Sequence, residues 1–120
     1  MKIVLTSQGK SMQSPVDARF GRAQCLIVVD TETGNFSAVD NSGFMDAAQG
    51  AGIQTGKRVV ELGAGAVITG NVGTKAFATL QAGNVQIYTG ASGTVAEAVE
   101  LFREGKLTRR VAPNVEGHWV

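Results

Sequence analysis

Residues 69–74 read Thr-Gly-Asn-Val-Gly-Thr and residues 89–94 read Thr-Gly-Ala-Ser-Gly-Thr, so the pattern Thr-Gly-x-x-Gly-Thr occurs twice about twenty residues apart. Each copy follows a short strand-like run and opens onto apolar residues at helical spacing. Glycine in such a turn lets backbone N–H groups approach a ligand, and the N-terminus of the following helix favours negative charge. The chemistry this suits is anion binding by main-chain donors around Gly70, Asn71, Gly73, Thr89, Gly90 and Ser92. Two other stretches carry compatible residues. Arg19-Phe20-Gly21-Arg22 closes a long polar loop, offering two cations and an apolar wall, and Asn41, Gly50 and Gly52 precede the first expected long helix. The same residues admit a purely structural reading, in which the glycines permit tight turns, Phe20 fills the core and both arginines are solvated.

Other chemistries lack their residues. One cysteine, Cys25, and one histidine, His118, cannot assemble a four-thiolate or Cys/His metal site within one chain. Any metal centre is then held by non-covalent contacts, by a few soft or imidazole ligands such as Met12, Met45 or His118, or across an oligomer. Cys25 stands inside an apolar run and His118 in the tail, a poor basis for a nucleophile and its base. Gly9-Lys10-Ser11 resembles the end of a phosphate loop, but Val4 stands where the leading glycine belongs. A magnesium nuclease needs clustered carboxylates, one of them typically in the first strand, and Lys2-Ile3-Val4-Leu5-Thr6 has none. The acids Asp17, Asp30, Asp40, Asp46, Glu61 and Glu97 read as turn, cap and surface residues. A small hydrolase or transferase is disfavoured for the same reason, and no enzyme is expected.

The elements that must position the turns follow from periodicity. Residues 2–6 form a first strand, residues 7–20 a long loop, and residues 24–30 a continuous apolar strand covered on both faces. Glu-Thr-Gly-Asn at 32–35 signals a hairpin into a returning strand at 36–40. Ile53, Val59, Val60 and Leu62 mark one helix stopped by Gly63, and Val72, Ala76, Phe77 and Leu80 a second stopped by Gly83. Val95, Ala98, Val99 and Phe102 mark a third, opened by the capping box Thr94 and Glu97 and ended by Gly105. Strands at 66–69 and 85–89 precede the two repeated turns. The predicted order is β-β-β-α-β-α-β-α, an α/β domain with a five-stranded mixed sheet. Its first strand is central and beside the fourth, a ribonuclease-H-like topology with the site at the carboxyl ends of the strands. Residues 1–107 are expected to form one cofactor-binding domain and residues 108–120 an irregular tail.

A chain of 120 residues with a formal net charge of +1 has no broad electrostatic footprint for nucleic acid or for a membrane surface. Its longest apolar run, residues 26–29, falls far short of the ~20 residues of a membrane span. A cytoplasmic monomer or weak homodimer is expected.

Met1-Lys2-Ile3-Val4, the segment 16–23 with Arg19-Phe20-Gly21-Arg22, Asn41, Gly50-Ala51-Gly52-Ile53, the 70–73 turn with Ala76, and Phe102, Gly105 and Leu107 together resemble the dinitrogenase iron-molybdenum cofactor biosynthesis family. That family includes NifX-type carriers and the small orange proteins. The resemblance covers nearly the whole chain. It implies a ribonuclease-H-like fold and non-covalent binding of a molybdenum-containing metal-sulfur cluster, of molybdenum-copper sulfide or iron-molybdenum type. An acceptor or accessory protein is the implied partner. Many relatives carry a histidine near the position of Gln49, so imidazole ligation is not implied there. The alternative is a metal-free protein-interaction or accessory module of the same fold.

Overall fold

The computed structural model describes residues 1–45 and 50–113, without the side chains of residues 44 and 45. Its sheet is built around β1 (Lys2–Ser7), which pairs antiparallel with β2 (Cys25–Asp30) and parallel with β4 (Ala66–Ile68). Strand β3 (Phe36–Asp40) lies outside β2, and β5 (Gln86–Thr89) lies parallel beside β4. A short β6 (Thr108–Arg110) pairs antiparallel with β5, giving the order β3-β2-β1-β4-β5-β6. Helices α1 (Ser42–Met45), α2 (Ala51–Glu61), α3 (Thr74–Ala82) and α4 (Val95–Arg103) complete the described chain.

Alternation along the central strands explains the layering. Val4, Leu26 and Val67 point to one face, where Val59 of α2 and Ala76, Phe77 and Leu80 of α3 close the core. Ile3, Leu5, Ile27 and Ile68 point to the other, where Val95, Ala98 and Val99 of α4 cover them. With helices on both faces, β2 needs apolar residues at successive positions, which is why residues 25–29 show no polar alternation. The hairpin between β2 and β3 turns through Gly34 at φ +78°, and Tyr88 meets Phe102 edge to face at 5.1 Å.

Two expectations are corrected. The sheet has six strands, not five, because residues 108–110 pair with β5 instead of beginning an irregular tail. Thr108-Arg109-Arg110 carries no apolar alternation; main-chain bonding holds it, and no side-chain pattern reports that. The connection after β3 also contains one helical turn, α1. Asp40 starts it by accepting from the Ser42 amide at 3.0 Å and the Ser42 hydroxyl at 3.0 Å.

Candidate functional site at the carboxyl edge of the sheet

The register places the carboxyl ends of β1, β3, β4 and β5 on one edge, and α2, α3 and α4 all start from it. The long loop after β1 is fastened across that edge. Asn71 donates its amide to the Ala18 carbonyl at 2.7 Å, making an isolated bridge between Arg19 and Asn71. Val16 donates to Gly93 at 2.9 Å, and Pro15 bridges Thr94, so one loop touches both repeated turns. Beneath it the buried Thr6 hydroxyl donates to the Asp17 carbonyl at 2.7 Å and lies 2.8 Å from the Thr69 hydroxyl. The first turn can come this close only because Gly70 has no side chain: a Cβ there would stand 2.6 Å from the Ala18 Cα.

Arg19 is thereby set on the same rim as residues 70–73, with its side chain 56% exposed. Its amide bonds the Asp17 carboxylate at 2.9 Å and its Nε lies 3.8 Å from the same oxygen. That carboxylate offsets part of the positive charge and fixes the start of the side chain. Arg22 is half-buried.

The helix starts differ in a way the repeated sequence conceals. At α4 the first donors are all engaged. Val95 bonds the Ser14 carbonyl at 2.9 Å, Ala96 the Met12 carbonyl at 2.8 Å and Glu97 the Thr94 hydroxyl at 3.2 Å. The Glu97 carboxylate reaches back to the Thr94 amide at 3.0 Å, which completes the capping box and holds its pKa below the usual glutamate range. At α3 the N-cap is Gly73 and at α2 it is Gly50, in left-handed conformation, and neither has a side-chain cap. The first intrahelical donors are Gln54 and Phe77, so the amides of 51–53 and 74–76 have no acceptor among the described residues. The Lys75 side chain projects exposed from the first turn of α3. Lys75 was missed from sequence; its signal was simply a cation immediately inside the first repeated turn.

Several expected site residues have other duties. Phe20 is 0% exposed within the core beneath the rim, so it supports the loop and offers no wall to a ligand. Asn41 is 1% exposed, its side-chain Nδ2 donating to the Ala23 carbonyl at 2.8 Å and to the Thr55 hydroxyl at 3.2 Å. Gly90 donates to the Gly70 carbonyl at 3.1 Å, so the amides of Gly90 and Asn71 serve the rim itself. Gly21, Gly52, Gly73 and Thr89 are buried, and Ser92 is exposed on the α4 side. Met12 is half-buried and packs against the α4 core. The Met45 side chain, Gln49 and His118 lie outside the described residues.

The family profile for dinitrogenase iron-molybdenum cofactor matches residues 1–105. The chain belongs to this family. The apo form of the orange protein from Desulfovibrio gigas superimposes with a TM-score of 0.92 at 36% identity, over 95% of this chain and 96% of that one. A NifB-type protein from Thermotoga gives 0.84 at 38% identity, over 97% and 98%. An uncharacterized protein of Methanocaldococcus jannaschii is 28% identical over 91% of each chain.

Among the described residues no three of His, Cys, Asp and Glu are grouped to hold a metal ion. Cys25, at the same end of the sheet, is 2% exposed. Burial first, then the neighbouring Asp40, push its thiol pKa up against the opposing Lys10, which keeps it protonated. The amides of 74–76, which meet no acceptor among the described residues, with Arg19 and Lys75 at the same helix start, instead suit an anion held by hydrogen bonds and charge. Among the described residues no helix is long and apolar enough to cross a membrane.

Proposed function

We propose that this family member carries an anionic molybdenum-containing metal-sulfur cluster, bound without covalent ligation at the carboxyl edge and passed intact to an acceptor protein. The observation that carries this reading is the contrast at the helix starts: α4 is closed by its own groups, while among the described residues the first amides of α2 and α3 meet no acceptor, and Arg19 and Lys75 stand at the α3 start. In this reading Arg19, Arg22 and Lys75 supply charge, the amides of 51–53 and 74–76 supply hydrogen bonds, and Gly70 admits the loop that carries the arginines. The chain acts as a carrier without turnover, in the cytoplasm, where a thiol such as Cys25 stays reduced. The strand order β3-β2-β1-β4-β5 with β2 reversed supports the ribonuclease-H-like assignment, with β6 an addition to it.

The test begins by incubating the purified chain with tetrathiomolybdate and copper, desalting it, and measuring the visible spectrum and metal content. A coloured complex of fixed metal stoichiometry is expected, and its retention falls as salt rises because the holding charges are exposed. Arg19→Gln with Arg22→Gln should lower retention about tenfold and flatten the salt dependence, a loss of about 1.4 kcal/mol. A protein that stays colourless with either copper or iron as second metal would overturn the carrier in favour of the metal-free accessory module.

A further inference from the structure

The outer edge of β6, the last strand in the sheet order, has no strand beside it among the described residues. On β5, Gln86 donates to Gly65 at 3.0 Å and Tyr88 accepts from Thr69 at 3.0 Å, so residues 86 and 88 turn their backbone groups toward β4. Residues 87 and 89 then face β6, opposite Arg110 and Thr108. Backbone direction alternates along a strand, so the N–H and C=O of Arg109 point outward from the last strand of the sheet. No described residue pairs with them.

The side chains along this edge have one sign. Arg109 lies opposite Tyr88 on the α4 face, and Arg110 lies opposite Ile87 on the α3 face. Arg110 bonds the Ala112 carbonyl through Nε at 3.3 Å, which leaves its terminal nitrogens with donors to offer. Arg110, Gln81, Phe77, Ile87 and Val111 line a recess of about 100 Å³. Val111, next in line, is 82% exposed. An added strand would meet a main-chain donor and acceptor at Arg109, a guanidinium on each face, and a polar recess for one alternate side chain.

We propose that β6 docks an acidic, extended segment of a partner protein by strand addition, with carboxylates on the segment's two faces meeting Arg109 and Arg110. This surface is separate from the cargo rim and does not depend on what the rim carries. The probe is a blocked peptide of about six residues, two adjacent glutamates flanked by valines so that one carboxylate falls on each face, titrated into the isotope-labelled full chain beside its lysine-valine counterpart. The amides of Arg109 and Val111 should shift, and exchange at the Arg109 amide should slow. Arg109→Glu with Arg110→Glu should weaken binding at least about tenfold, while the spectrum of that variant reports whether it remains folded. Equal affinity for the lysine-valine peptide overturns the proposal, as do shifts confined to residues 51–53 and 74–76. A slowly exchanging Arg109 amide in the peptide-free chain overturns it too, because the edge is then already covered.

Discussion

Gly70 has no room for a methyl group. A Cβ would lie 2.6 Å from the Ala18 Cα, 2.8 Å from its Cβ and 2.9 Å from its carbonyl, and backbone cannot move aside as a flexible side chain can. Gly70→Ala should therefore cost about 1–3 kcal/mol in denaturant unfolding and release cargo, because Arg19 is displaced with Ala18. Gly90 is the informative contrast. Nothing stands within 4 Å of its Cβ position, but its φ is +82°. Gly90→Ala should lose a comparable ~1–2 kcal/mol through backbone strain while leaving the Arg19 loop in place. Equal cargo loss in both variants would separate retention from the position of that loop. The sequence announced both glycines as turn residues. It did not distinguish them, since the reason for Gly70 stands in a loop remote along the chain. For the same reason Phe20 read equally as wall or core: nothing in Arg19-Phe20-Gly21-Arg22 says which way the ring turns.

At the level of elements, two identical-looking turns open onto helices with opposite availability. The Thr94 and Glu97 spacing made the α4 cap legible, but the carbonyls of Met12 and Ser14 that complete it come from an aperiodic loop. Helix α3 offers the converse experiment. Thr74→Glu places a carboxylate on its exposed first residue, where the helix dipole favours it, so thermal stability should rise by about 0.3–1 kcal/mol. The same charge repels an anionic guest, so retention should fall, most strongly at low salt. A variant that gains stability and keeps its cargo would remove α3 from the site. At α4 the Thr94 amide, followed by its hydroxyl, lowers the Glu97 pKa. A depressed folded-state pKa means the cap contributes fully above the unfolded value and is lost as pH falls through the folded one. The unfolding midpoints of the natural chain and Glu97→Gln should accordingly differ at neutral pH and converge in acid. A difference that persisted in acid would deny the carboxylate its capping role.

Across the whole molecule, apolar burial and backbone bonding shape different parts of the sheet. Apolar periodicity was enough to mark the first five strands and the three long helices, and their order placed β1 at the centre beside β4; which helix covers which face came only with the structure. What escaped it was backbone bonding without an apolar signature: β6, the single turn of α1, and the loop that closes α4 but not α2 or α3. Amide exchange tests this division throughout the chain. Val4 and Leu5 are 0% exposed and pair with β2 on one side and β4 on the other. Their amides should exchange only through global unfolding, with those of β3 and β6 at the edges far faster. The amides of 51–53 and 74–76 should exchange fast in the free protein even though they lie on the two helices that pack against the sheet core. Loading with the metal-sulfur cluster should slow those two triplets while the first residues of α4, already bonded to the chain itself, keep their rates. Protection that appeared equally at all three helix starts would mean general tightening of the fold, and the guest would then have no assigned seat between α2 and α3.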